Sequence, residues 1–323
     1  MLRLLGSALG PLLALIVVFT VFAVADFATS GEFRFVGLDN LRRVAVRTST
    51  VATAALGMTV IIIAGGIDLA AGTALALSAT VLAWMLREDY GTAAALTGCV
   101  GTGILCGLLN GALITSLRLV PFIVTLGTMT IYLGLSKMVS DETTVRPLPD
   151  QIPEWLSNLV ASRPTPEWLV LPIGVWLTLA MAVILSAVLR YTVFGRYVFA
   201  IGSSESTARL CGVNVRAVKV AVYTLAGMFV RIAGIYQFAR LSSGNPTSGT
   251  GLELKIIAAV VIGGGSLSGG RGTVLGTLAG AMMMGIIDSG CTQLGLRNPL
   301  QDIIVGVIIV AAATLDQLRQ RAR

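Results

Sequence analysis

Few of the side chains that usually carry enzymatic chemistry are available to this chain. Its 323 residues include no His, which removes Ser–His hydrolases, His-ligated zinc and haem sites and HExxH metalloproteases. The lysines are Lys137, Lys219 and Lys255, preceded by Ser136, Val218 and Leu254. None stands in a Gly-Lys-Ser/Thr phosphate loop, so no nucleotide site of that type is encoded. The four cysteines, Cys99, Cys106, Cys211 and Cys291, form no CxxC pair and read as small packing residues. No metal centre, cofactor or enzymatic activity is expected. What remains is polar residues set in apolar surroundings. Asp68 follows Gly65-Gly66-Ile67 at the end of an apolar run, where it either caps the next helix or presents a carboxylate beside a break in the chain. Arg231 lies about twelve residues into an apolar stretch, too deep to snorkel out. It needs a partner, and Asp288 is the expected one.

The elements that hold these residues follow from composition. Residues of the set AVILMFWYC make up 55% of the chain and charged residues only 12%, half the ~25% of a soluble domain. Mean hydropathy is +0.87. A soluble fold would have to expose large apolar patches to house such a sequence, so the chain is read as all-α and polytopic in a membrane. With ~20 apolar residues per crossing, spans fall near 9–27, 48–65, 71–87, 92–115, 121–140, 168–190, 219–239, 254–265, 272–289 and 300–316. That makes about ten in one transmembrane domain covering 1–323. The eighth is short and bounded by glycines, which suggests a broken or re-entrant segment. The first run, after Arg3, is about 20 residues long, beyond the ~7–15 of a signal core, and is expected to stay as an uncleaved span.

Loop charges set the orientation. The segment 190–219 carries Arg190, Arg196, Arg209, Arg216 and Lys219 against Glu205, whereas 141–167 carries Asp141, Glu142, Asp150, Glu154 and Glu167 against Arg146 and Arg163. The positive-inside bias makes the loop at about 191–218 cytoplasmic and the loop at about 141–167 external. Both termini then lie in the cytoplasm, which suits Arg319, Arg321 and Arg323. The net charge of +7 is accounted for in the same way, and no basic run interleaves with aromatics as a nucleic-acid surface would. One segment resists: 32–47, external on this count, holds Arg34, Arg42, Arg43 and Arg47. It reads as a helix lying in the interface with its arginines reaching to headgroups.

Gly103, Gly107 and Gly111 recur every four residues in the fourth span, as do Gly272, Gly276 and Gly280 in the ninth. Such ridges let helix backbones pack closely in lipid. Matching spans 2–5 to spans 7–10 pairs the fourth with the ninth in opposite directions, the pattern of an inverted repeat. Packing without symmetry is the plainer alternative.

Six stretches in order then carry a family resemblance. They are Gly65-Gly66-Ile67-Asp68-Leu69; Pro121-Phe122-Ile123-Val124-Thr125-Leu126-Gly127-Thr128-Met129; Phe194-Gly195-Arg196-Tyr197-Val198-Phe199-Ala200-Ile201-Gly202; Ala208-Arg209-Leu210-Cys211-Gly212-Val213; Ala239-Arg240-Leu241-Ser242-Ser243 with Pro246-Thr247-Ser248-Gly249-Thr250-Gly251; and the run from Ala258 through Gly263-Gly264-Gly265-Ser266-Leu267-Ser268-Gly269-Gly270-Arg271-Gly272-Thr273. From about 36 to 316 the chain resembles the ribose/monosaccharide-type permease subunits of bacterial ABC importers.

The resemblance implies an inner-membrane subunit that pairs with a second permease copy, a cytoplasmic ABC ATPase and a periplasmic sugar-binding protein. The absent phosphate loop fits, since ATP is then hydrolysed elsewhere. Glu205, Ala208, Arg209 and Gly212 match the family's coupling segment, a short helix that docks on the ATPase. Small residues there would allow close approach, and Gly212 can end the helix in a left-handed turn. Asn110, Phe122 and Thr125 are candidate path liners, able to meet sugar hydroxyls or a sugar ring, with Asp68 beside them at a gate or path; Asn110 has packing as its alternative. Departures from the family pattern are Arg231, Lys255 and Asp288, which either form an altered polar cluster or, for the last two, lie near the surface. Such a cluster would move preference away from an ordinary neutral sugar. The related branched-chain amino-acid permeases and an ion-coupled secondary transporter are the competing readings.

Overall fold

The structure is a computed structural model that describes residues 2–162 and 169–321. Arg163, Glu167 and Arg323, three of the residues whose charges set the expected orientation, lie outside the described residues. Every long apolar run is helical: α1 (Leu2–Ser30), α2 (Leu38–Ile63), α3 (Ala71–Arg87), α4 (Thr92–Leu117), α5 (Pro121–Val139), α6 (Glu154–Asn158), α7 (Ile173–Tyr191), α8 (Val193–Ser203), α9 (Glu205–Leu210), α10 (Val215–Leu241), α11 (Leu252–Ile262), α12 (Val274–Gln293) and α13 (Asn298–Arg321). Seven are individually long and apolar enough to cross a membrane, and α3 and Pro299–Ala311 of α13 are shorter apolar helices. At 11 residues, α11 is the short eighth span, ended by a glycine-rich turn with positive φ at Gly264, Gly269 and Gly270.

Burial orders the bundle. The apolar windows of α2 and α12 are 83% and 78% buried, against 11% for α1. A helix apolar all round must be surrounded by others or by lipid; α2 is the former case. Two of its hydroxyls find partners on neighbouring helices, Thr53 with Thr178 of α7 at 2.9 Å and Thr59 with Thr277 of α12 at 2.7 Å.

The helix contacts obey an exchange rule. α4 packs on α10 as α12 packs on α2; α3 packs on α4 and α5 as α11 packs on α12 and α13; α3 meets α10 as α11 meets α2. Swapping α2–α5 for α10–α13 therefore preserves the packing, as an inverted repeat requires. The glycine ridges do not obey the same rule. A Cβ on Gly107 or Gly111 would run into Tyr223 and Val220 of α10, whereas one on Gly276 or Gly280 would run into Gly263 and Ala259 at the C-terminal end of α11. The first ridge serves contact between the repeats and the second serves contact within one. Gly272 meets Ile63, outside its ridge.

The segment 32–47 corrects the sequence reading. No separate interfacial helix exists there: residues 38–47 are the first turns of α2, whose 26 residues span ~39 Å at 1.5 Å each. A helix longer than the hydrocarbon layer carries its excess as a polar extension, so the arginines need no snorkelling account. Arg34 pairs with Glu32 at 2.9 Å, Arg42 with Asp39 at 3.7 Å, and Arg47 is drawn inward to Asp288. The segment after α5 is anchored by paired backbone hydrogen bonds between Val145 and Gly244.

Candidate functional site

The polar residues gather at three places. The first is the break between α2 and α3. Asp68 is 8% exposed; its Oδ1 accepts from the Ala70 backbone N–H at 2.8 Å and lies 3.5 Å from Asn110 Nδ2. Asp68 thus ties down the start of α3, the local role expected of a short acid there, while its carboxylate also reaches α4. The Tyr132 hydroxyl lies 2.9 Å from Asn110 Oδ1 and 2.9 Å from the Cys106 carbonyl oxygen. Thr125 donates to the Ile67 carbonyl at 3.3 Å, and so does the Tyr223 hydroxyl at 3.5 Å. Asp68, Asn110 and Thr125, proposed from sequence, are therefore brought together, although Asn110 and Thr125 are buried and bonded inside the bundle rather than facing an open passage. Phe122 does not join them; it is 46% exposed on the outer face of α5. Tyr132 and Tyr223 were missed. Their signal was weak: a tyrosine deep in an apolar run needs a hydroxyl partner, but the partner cannot be named before the helices pack.

The second place is the end of the bundle that carries α8 and α9. Ser204 caps α9 by accepting from Thr207 N–H at 3.3 Å. At its other end Val213 N–H donates to Ala208 O and Gly212 N–H to Arg209 O, both at 3.1 Å, with Gly212 at φ +81°. These paired bonds make a Schellman motif, the left-handed stop expected of Gly212. Glu205 is held from two sides, by Lys219 Nζ at 2.6 Å and Arg209 Nη2 at 2.9 Å. The hydrogen bond from Lys219 is the main reason its carboxyl sits below its ordinary value. Ala208 corrects an expectation. It is 4% exposed, so its small size serves packing within the chain, and the residue presented outward is Leu210, 89% exposed.

This end also joins both helix breaks. Gly202, in the last turn of α8, lies so close to them that a Cβ there would strike Ile63 O and Gly270 N, and a Cβ on Gly269 would meet Gly202 O and Gly65 Cα. Gly270 N–H donates to Ile63 O at 2.9 Å. Backbone packs on backbone with no side chain between, which only glycine permits.

The third place is the opposite end of α2, α10, α11 and α12. Asp288 pairs with Lys255 Nζ at 3.3 Å and Arg47 Nη1 at 3.5 Å, and Arg240 Nη2 donates to Gln237 Oε1 at 2.9 Å. Lys255 and Asp288 do form a polar cluster, but Arg231 is not in it. Arg231 is fully buried on the face of α10 toward α3 and α4, where Nη1 donates to Ala74 O and Nε and Nη2 have no partner. The expected Arg231–Asp288 pair is thus corrected: the two side chains leave their helices toward different neighbours. Gly103 supplies Arg231's space, since a Cβ there would collide with its side chain.

A bundle of about ten apolar helices, with two packed helix breaks joined at the end of α8, defines a multi-pass membrane protein. The chain belongs to the family described as branched-chain amino acid transport system / permease component, which matches residues 40–313. Among curated relatives it is 35% identical to the ribose import permease protein of Escherichia coli K12 over 88% of both chains. It is 36% identical to the ribose import permease protein of Bacillus subtilis 168, over 96% of this chain and 92% of that one. The fructose import permease protein of Rhizobium meliloti is 34% identical over 80% of this chain and 72% of its own. No solved structure matches.

Proposed function

We propose that this chain is the single-domain permease subunit of a bacterial inner-membrane ABC importer for a monosaccharide or related small polar solute. The observation that carries the reading is its likeness, at 34–36% identity over most of its length, to permeases named for ribose and fructose import. The α8–α9 end faces the cytoplasm, the end bearing Asp288 faces outward, and both termini are cytoplasmic. A separate ATPase docks on α9 through Glu205, Arg209, the Gly212 turn and exposed Leu210; a periplasmic binding protein delivers the solute; a second permease copy completes the path. Asp68, Asn110 and Thr125 act at its gate.

The packing suggests how a push on α9 reaches that gate. Gly202, in the last turn of α8, touches Gly65 and Gly269 directly, so a displacement of α8 bears on both breaks at once. The Gly65 break carries Asp68, whose bonds to Ala70 and Asn110 hold α3 against α4. Moving the break strains those bonds, and the two halves of the repeat rock about it.

The test is reconstitution with the ATPase and binding protein in proteoliposomes. Hydrolysis should rise when sugar-loaded binding protein is added, and uptake should require ATP. Uptake driven by an ion gradient without the ATPase would overturn the reading.

A further inference from the structure

The outward cluster holds more positive charge than it neutralises. A pocket of about 120 Å³ is lined by Arg47, Thr50, Gln237, Arg240, Lys255 and Asp288 among others. Three cations there face one carboxylate. Other nearby acids are turned elsewhere: Asp39 is taken by Arg42, and Glu253 Oε1 accepts from Gly251 N–H. The contacts to Asp288 are long for charge-assisted hydrogen bonds, at 3.3 and 3.5 Å against the usual 2.7–2.9 Å, so the donors are not consumed by it. A second, independent observation points into the same pocket: Thr50 is 5% exposed and its hydroxyl has no hydrogen-bond partner. A buried hydroxyl is normally satisfied. The pocket is also continuous in charge with a wider recess of about 480 Å³ that shares Arg47 and Arg240 and adds Arg43. The basic surface therefore runs from an open recess into a narrower cleft.

We infer that this pocket is an anion subsite and that the imported solute carries a carboxylate or phosphate group. The anionic group enters the narrow pocket between Lys255, Arg47 and the Thr50 hydroxyl, while the remainder of the solute occupies the wider recess. Asp288 keeps the cations apart and lowers their collective pull, so that the group is held and released. The inference rests on the importer reading, and it separates this chain from carriers of neutral sugars.

The test uses the purified chain in nanodiscs, with thermal unfolding followed at constant ionic strength. Galacturonate should raise the midpoint saturably and galactose should not; inorganic phosphate should compete. Lys255→Gln should weaken the apparent Kd about tenfold, the loss of one hydrogen bond to a charged group. Asp288→Asn should tighten it severalfold, an effect that a merely structural role does not produce. Equal shifts with galactose and galacturonate, or a galacturonate response unchanged in both variants, would overturn the subsite. A shift seen only with phosphatidylglycerol discs, with no response to soluble anions in phosphatidylcholine discs, would mark a lipid-headgroup site and overturn the solute assignment. The two readings fail separately. ATP-driven uptake of a neutral sugar with no anion binding removes the subsite alone; anion binding without ATP-dependent uptake removes the importer reading and the solute assignment with it.

Discussion

Glu205 and Asp288 are built alike and behave differently. Each is a lone carboxylate facing two cations at one end of the bundle. At the α8–α9 end the contacts are 2.6 and 2.9 Å; at the other they are 3.3 and 3.5 Å. The short pair ties α9 to the first turns of α10, so the outward-facing Leu210 and the Gly212 turn hold a set position. The long pair leaves cation valences open around a cavity. The same contact pattern, one carboxylate against two cations, thus yields a clamp in one place and a receptive pocket in the other, and the deciding variable is how closely the backbones bring the groups together.

The largest expected effect tests the clamp's connection to the breaks. Gly202→Ala places a Cβ into the Ile63 carbonyl and Gly270 amide, and overpacking of this kind costs ~1–3 kcal/mol. The melting temperature should fall and ATP-driven uptake should be lost. A variant with unchanged stability and transport would remove the Gly202 contact from the coupling route.

Gly212→Ala comes next. No atom crowds that position, so the penalty is conformational, ~1–2 kcal/mol for an L-residue held in the left-handed region. Its loss of stability should be smaller than that of Gly202→Ala in the same detergent. The reverse order would mean that α9 is held by its turn more than by its packing.

A double-mutant cycle sharpens the other side of the comparison. Lys255→Gln and Asp288→Asn should be coupled by up to ~1 kcal/mol, the range for partly exposed ion pairs. Arg231→Met and Asp288→Asn should be additive within ~0.5 kcal/mol, as for residues without shared partners. Coupling in the second cycle, read from thermal unfolding, would restore the Arg231–Asp288 pair. Arg231→Met alone should not destabilise, because it removes two buried donors that lack partners while the Ala74 carbonyl keeps its hydrogen bond from the Ser78 hydroxyl.

The smallest effect is on pH. Glu205 titrates below its ordinary value of 4.5 because Lys219 and Arg209 favour the carboxylate. The sign follows: its contribution is complete above pH 4.5 and is lost as pH falls through the lower value of the folded protein. Protease nicking near α9 should increase in that acid window for the native chain and be already elevated, with little pH dependence there, in Glu205→Gln.

Much of the fold was legible because lipid imposes a simple rule. About twenty apolar residues make a crossing, and glycines in a row mark a break; α11 was recognised as short on those grounds. Boundaries failed where polar residues continue a helix past the membrane, as in the first turns of α2. Spacing also identified the glycine ridges as packing devices, but it could not say which helix each one meets. Of the candidate site, Asp68, Asn110 and Thr125 are brought to one place, but Asn110 and Thr125 are buried and hydrogen-bonded rather than set along an open passage, and Phe122 and Ala208 do not face where their motifs implied.

Composition and order alone determined that this chain is all-helical, passes a membrane many times and belongs with the permeases. Those properties depend on residue type and on separations along one helix, which are local. Only the tertiary structure decided that Asp288 takes Lys255 and Arg47 as partners and leaves Arg231 to Ala74. Partner choice depends on the direction in which each side chain leaves its helix and on which neighbour packs there, and residues 33 and 241 positions apart in the chain acquire that relation only once the bundle has closed.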